Sequence, residues 1–321
     1  MGLIKFFSNI RYLFRYNLKE INTSVNGLKK VAEENHPLIL ENLYEISRRD
    51  GFPEVMDASS TLDYLLNNNV SMCRFGDGEI AVMTSSGQAW FQHFDDKLAK
   101  RLVEILSSTD DGVLIASSYY YFNFPSGLRD DSFYFYLHDG KRFRKEFLKY
   151  MKPGRVYGDT SFTAPYVNYR NFDCAPYYEK FQQLWNDKDI VIICGRTVFD
   201  KIEHNIFATA RSIEYIYGPP ESAFDQYDEL MSKALATDKA KTKYLILGQT
   251  ATVMAYDLHK AGHRALDIGH IAKDYNAFRT GMEVTVEKSR AFWLKDWCRT
   301  AVDVKICFAI MKNPLYAGFS I

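Results

Sequence analysis

The chain has 321 residues, 47% hydrophobic and 15% aromatic, enough apolar side chain for one large core or two ordinary ones and too much for long disorder. Forty basic and forty acidic residues cancel to a formal charge of zero, so no global field recruits nucleic acid. The cysteines Cys73, Cys174, Cys194, Cys298 and Cys307 lie far apart without a C-x-x-C, which argues against a disulfide framework or a thiolate zinc site and fits a reducing cytoplasm.

Residues 1–50 read as a helical extension. Leu3, Phe6, Phe7, Ile10, Leu13 and Phe14 recur at helical spacing, and Lys5, Arg11, Arg15 and Lys19 take much of the remaining face. A basic amphipathic helix of this kind suits an anionic lipid surface, and equally the rest of the protein or a second subunit. The following stretch, SVNGLKKVAEENHPLILENLYEISRRD, keeps the helical period, with Pro37 expected to end or kink it. No secretory signal and no run of ~18 apolar residues occurs, so the chain is expected to stay on one side of a membrane.

Between 51 and 285 the pattern changes. Seven short β-rich runs, VSMCRF, GVLIASS, GRVYGDTSF, DIVIICG, SIEYIYG, KYLILG and HRALDIGH, alternate with stretches of helical period. Near-continuous apolar strands are buried on both faces, so the expected fold is α/β, a Rossmann-like, mainly parallel sheet with helices on both faces. Ligands of such sheets bind beyond the carboxyl ends of the strands. The polar clusters fall there: Asp77 and Glu79 after the first run, Asp159 and Thr163 in the third, Gly195 and Arg196 after the fourth, GQTAT after the sixth and DIGH closing the seventh.

In SMCRFGDGEIAV, Asp77 and Glu79 set two like charges one residue apart. A helix N-terminus would favour both. Glycine on either side of Asp77 also lets a tight turn aim both carboxylates at one point, where repulsion calls for a cation. Hard divalent ions such as Mn2+ or Mg2+ are held by one or two carboxylates plus substrate phosphates, and nearby Arg74 could fork onto a phosphate oxygen. In LILGQTATVMAYDLHKAG a buried strand ends at Gly248, and Thr250 or Thr252 opens a helix whose free amides form an anion site or are simply capped. ALDIGHIAKDY adds Asp267, His270 and Asp274, a histidine between two acids and thus a candidate base or substrate-binding residue. Residues 286–321 carry a further helical period around Phe292, Trp293, Trp297, Val302 and Ile306.

RFGDGE, GDTSFTAPY, NIFATARSIEYIYGPPESAFDQYDEL and LGQTATVMAYDLHKAGHRALDIGHIAKDY, in that order, resemble the GT-D-type glycosyltransferases, defined by a streptococcal enzyme that glucosylates a serine-rich adhesin. The resemblance runs roughly from Leu65 to Phe278. It implies a Rossmann-like sheet, transfer of a sugar from a nucleotide donor, typically a UDP-sugar, to a glycan or glycolipid acceptor, and a divalent ion on Asp77 and Glu79. Gln249 stands where the family usually has proline, Ala272 where an acid commonly follows DIGH, and the segment from Cys194 to Asn205 also departs from the pattern. On this reading Arg74, Gly76, Arg196, Gly248, Thr250, Thr252 and Asp267 form the donor-binding set. His270, Asp274 and Asp159, in that order, are the candidate bases. The aromatic run Ser117 to Gly127 offers faces for an acceptor sugar, or is core and loop packing. The expected setting is bacterial surface polysaccharide or glycoprotein synthesis, in the cytoplasm or peripherally at the inner face of the membrane, with a homo-oligomer open. Two other classes stay open: a phosphohydrolase or nucleotidyltransferase using the same metal and diphosphate geometry, and a non-catalytic subunit of a glycan assembly complex.

Overall fold

A computed structural model of the chain describes residues 18–48, 51–84, 91–285, 288, 289 and 292. The apolar stripe expected from Leu3 to Phe14 and the tail positions Trp293, Trp297, Val302 and Ile306 lie outside the described residues. The chain divides into two units, residues 1–50 and 51–321.

In the first unit a single helix runs from Leu18 to Ser47. Pro37 sits inside it, so of the expected end or kink the helix does not end there. Proline removes one donor and crowds the carbonyl four residues back, about 3 kcal/mol in a helix interior. A helix of 30 residues retains the rest of its ladder, and the turns before Pro37 carry i,i+4 ion pairs, Lys29 with Glu33 and Lys30 with Glu34. No helix among the described residues is long and apolar enough to cross a membrane.

The second unit is built on eight parallel strands: β1 (Glu54–Val55), β2 (Ser71–Arg74), β3 (Val113–Ser117), β4 (Val156–Asp159), β5 (Asp189–Gly195), β6 (Ser212–Gly218), β7 (Thr242–Ile246) and β8 (Ala265–Asp267). Their order is β1-β4-β3-β2-β8-β7-β5-β6. The seven runs read from the sequence are β2 to β8. Two-residue β1, paired with β4 through Glu54 and Val156, was not among them.

Alternation along the strands explains why they read as unbroken apolar runs. On β5, Val191 and Ile193 face one core while Ile190, Ile192 and Cys194 face the other. On β3 the split is Val113 and Ile115 against Leu114 and Ala116. Each buried aliphatic side chain contributes about 1.5–3 kcal/mol, and with helices on both faces neither set can be polar. The first core is closed by helices Asp77–Met83, Asp96–Leu106, Asp130–Leu148, Tyr227–Leu235 and Gln249–Lys260, the second by Ala58–Asn67, Cys174–Gln182 and Ile271–Arg279. Asp57 and Asp95 cap two of these helices, accepting from the Ser60 and Leu98 amides.

The sheet order positions the site. Adjacent strands β2 and β8 send their following helices to opposite faces, since Ile80 packs in the first core and Ile271 in the second. Diverging connections of this kind open a crevice beyond the carboxyl ends of the two strands.

Candidate active site

Arg74, the last residue of β2, organises the floor of this crevice. Its Nε and Nη2 donate to Asp267 Oδ1 at 3.1 and 2.9 Å, and its Nη1 donates to the Thr160 carbonyl and Thr163 Oγ1, both at 3.2 Å. Asp267 closes β8; it also accepts from Thr252 Oγ1 at 3.3 Å and from the Gly269 amide at 3.2 Å. Thr252 Oγ1 lies 2.8 Å from the Arg74 carbonyl as well. The ends of β2, β4 and β8 and helix Gln249–Lys260 are thereby tied into one polar network. Gly269 has φ +41°, and a Cβ there would overlap the Arg74 guanidinium. The arginine is an internal brace, with most of its donors already used.

Asp77 and Glu79 open the helix that follows β2. Glu79 Oε2 accepts from the Gly76 amide at 2.7 Å, a helix-start contact of the kind favoured at the positive end of the dipole. Both residues are half-buried. Burial raises the Asp77 carboxyl above its usual range and Glu79 to about 7, with the Gly76 amide opposing the shift and the Asp267 charge adding to it at Glu79. Among the described residues, no Lys, Arg or His lies within ion-pair distance of either.

Gly248, between β7 and the helix Gln249–Lys260, has φ +55°, and a Cβ there would sit 3.3 Å from Phe91. Thr250 Oγ1 is 3.3 Å from Gln92 Oε1, which also accepts from the Phe224 amide. Phe91 and Gln92 therefore complete the wall of the site at this helix start. Sequence reasoning passed over both, because 158 residues separate Gln92 from Thr250 and neither belongs to a recognisable motif.

The remaining predicted residues divide. His270, the N-cap of helix Ile271–Arg279, has its ring between Phe91 and Phe292, with centroids 6.3 and 6.2 Å away. Burial and the Lys273 and Arg74 charges lower it to about 3, so it is neutral. Asp159 and Asp274 are fully buried and held by structural hydrogen bonds. Asp159 accepts from the Tyr119 and Ser161 amides and the Tyr169 hydroxyl, and burial raises it to about 6. Asp274 accepts from the Tyr166 and Val167 amides and the Tyr178 hydroxyl, and burial raises it to about 7. Both act as caps for the turns at 160–168, which places them in the scaffold behind the crevice. Arg196 is not brought to the network. It is exposed beyond β5 and lines a separate groove with Glu214, Tyr215, Tyr217 and Lys233 near edge strand β6. In the aromatic run, Tyr121 and Phe122 are core residues, while Tyr119 and Tyr120 stay partly exposed.

A family model described as Glycosyltransferase GT-D fold matches residues 72–292. The chain belongs to this family. The match extends past Phe278, and Phe292 at its end packs on Ala164, Val167 and Ala277. A solved domain of unknown function 1792, described as having a distinct glycosyltransferase fold, is similar with a TM-score of 0.68 and 29% identity over 74% of this chain and 86% of that one. A further structure, described as a new glycosyltransferase from Streptococcus sanguinis, gives 0.67 and 30% over 71% and 85%. In sequence the GT-D chain is 32% identical over 246 residues to Probable glycosyl transferase Gly of Streptococcus gordonii, and 27% over 274 residues to Glycosyltransferase GlyD of Streptococcus pneumoniae serotype 4. These stretches are 73% and 82% of this chain but 34% and 33% of those proteins, so the chain spans about a third of their length.

The residues of this GT-D site fit a hard divalent cation. Two carboxylates lie one residue apart with no cationic side chain among the described residues in contact, and the charge of a 2+ ion would oppose the upward shift that burial gives both. Among the described residues, no third acid or histidine joins them into a larger cluster, which leaves the remaining positions for phosphate, water or neutral oxygens.

Proposed function

We propose that this chain is a metal-dependent glycosyltransferase that moves a sugar from a nucleotide-sugar, of the UDP-sugar class, to a glycan or glycolipid acceptor in bacterial surface polysaccharide or glycoprotein synthesis, on the cytoplasmic side of the membrane. The observation that carries this reading is the pair Asp77 and Glu79, unpaired by any cationic side chain among the described residues, at the switch point between β2 and β8. Family membership supports the reaction class. Asp77 and Glu79 would hold Mn2+ or Mg2+, which supplies charge neutralisation for the departing nucleoside diphosphate.

The chain's own groups have distinct roles. Arg74, fixed by Asp267, Thr160 and Thr163, holds positive charge at the floor of the crevice. The first-turn amides of helix Gln249–Lys260, with Gly248 at its start, face the diphosphate. His270, as a neutral imidazole between two aromatic rings, orients the acceptor hydroxyl by a hydrogen bond. Asp159 and Asp274 keep the supporting turns in place.

The test is incubation with a panel of UDP-sugars and Mn2+. Release of UDP by the wild type that is lost in Asp77→Asn and Glu79→Gln, with melting temperatures retained, is the expected result. Hydrolysis of many unrelated phosphoesters would favour the phosphohydrolase, and binding without turnover would favour the non-catalytic subunit.

A further inference from the structure

Three non-glycine residues among the described ones have a left-handed backbone: Phe91 at φ +73°, Asp187 at +52° and Ser222 at +51°. A short polar residue such as aspartate visits this region readily, whereas for phenylalanine it is a steric outlier, of the kind that collects at functional sites where the surroundings hold it in place. Two of the three meet each other. The Ser222 amide donates to the Phe91 carbonyl at 2.7 Å. His93 locks the contact, with its Nδ1 2.8 Å and its amide 3.4 Å from Ser222 Oγ, and its Nε2 3.1 Å from Asp225 Oδ1. Gln92, 3% exposed between them, accepts from the Phe224 amide at 3.3 Å. Held in this way, the half-buried Phe91 lies across the carboxyl ends of β7 and β8. A Cβ on Gly248, just after β7, would come within 3.3 Å of Phe91 Cβ, and the His270 ring, just after β8, has its centroid 6.3 Å from that of Phe91. Glycine at position 91 would adopt the same backbone without strain, so the ring is what the strain retains.

We infer that Phe91 is a ligand-contacting residue of the donor crevice, its ring packing on the nucleoside diphosphate part of the donor beside the start of helix Gln249–Lys260, and that His93, Ser222 and Asp225 are positioning residues that hold it there. This rests on the donor site proposed above and adds to it residues that no motif marks. The His93 and Asp225 side chains are 54% and 56% exposed, and an exposed pair of this kind contributes little to stability by itself. Its effect falls on the segment that it fixes.

Calorimetric titration of the full chain with UDP in the presence of Mn2+ tests the assignment without turnover. Phe91→Ala and Phe91→Gly both remove the ring and are expected to weaken UDP binding about threefold to tenfold, the range of one aromatic contact. The glycine variant should melt higher than the alanine variant, because φ +73° suits glycine. Phe91→Tyr, which keeps the ring, should bind UDP as the wild type does. His93→Ala should weaken binding in the wild-type background and have no further effect in Phe91→Gly, since it acts only through the ring. A folded Phe91→Gly that binds UDP as tightly as the wild type overturns the contact and leaves the donor site standing. An equal effect of His93→Ala in both backgrounds overturns the positioning role. A wild type that binds no UDP with Mn2+ present overturns the donor site and this assignment with it.

Discussion

Arg74 and Asp267 lie 193 residues apart and form the brace on which the site rests, with side chains 13% and 3% exposed. Removing one partner of such a pair strands the other charge in a poorly solvated place. Arg74→Met is therefore expected to cost about 3–5 kcal/mol in urea unfolding, and the double variant Arg74→Met with Asp267→Leu should recover much of it. The carboxyls set a pH dependence of definite sign. Glu79 and Asp274 are raised to about 7 and Asp159 to about 6, all by burial. A raised carboxyl binds its proton more tightly in the folded chain, so its contribution is fully present below the ordinary carboxylate range and is lost progressively as pH rises from that range to about 6 to 7. Melting temperature without divalent ions is expected to fall over that window. The slope should be shallower in Glu79→Gln, and Mn2+ should restore stability at the alkaline end in the wild type only. A flat profile in the wild type would contradict the assigned burial of these groups.

Strands and helices were legible wherever a local period ran long enough. β5 alternates its aliphatic side chains between two cores over seven residues, and such a run has few competing readings. Ile192→Ala, which empties a fully buried position on one face, should cost about 2–5 kcal/mol in the same unfolding assay. β1 has only two residues, too few to show any period, and exists because β4 offers it an edge. Pro37 shows the opposite limit: local chemistry predicts an end or a kink, and the helix Leu18–Ser47 continues past it. At Gly269 the backbone has φ +41° and the Arg74 guanidinium occupies the space of a side chain. Gly269→Ala is accordingly expected to cost at least about 1 kcal/mol and to loosen Arg74, seen as reduced UDP binding at equal folded fraction.

At the scale of the whole molecule, the crevice exists because the strand order places β2 beside β8. A ligand bound there clamps elements from both halves of the sheet. Mn2+ with UDP at about 100 times the dissociation constant should stabilise the chain by roughly 2.7 kcal/mol, and hydrogen exchange should slow together at residues 74–80, 248–252 and 267–271. Protection confined to one of these segments would place the nucleotide elsewhere. The α/β class, the β2 to β8 runs and the doublet Asp77 and Glu79 follow from the sequence by itself, because period, turn residues and charge spacing are local properties. The pairing of Arg74 with Asp267, the packing of Phe91 against Gly248, the retirement of Asp159 and Asp274 into capping and the separation of Arg196 from the site were decided only by the tertiary structure. Those relations depend on which strands become neighbours and which side chains then lose water, and neither is encoded within any one segment.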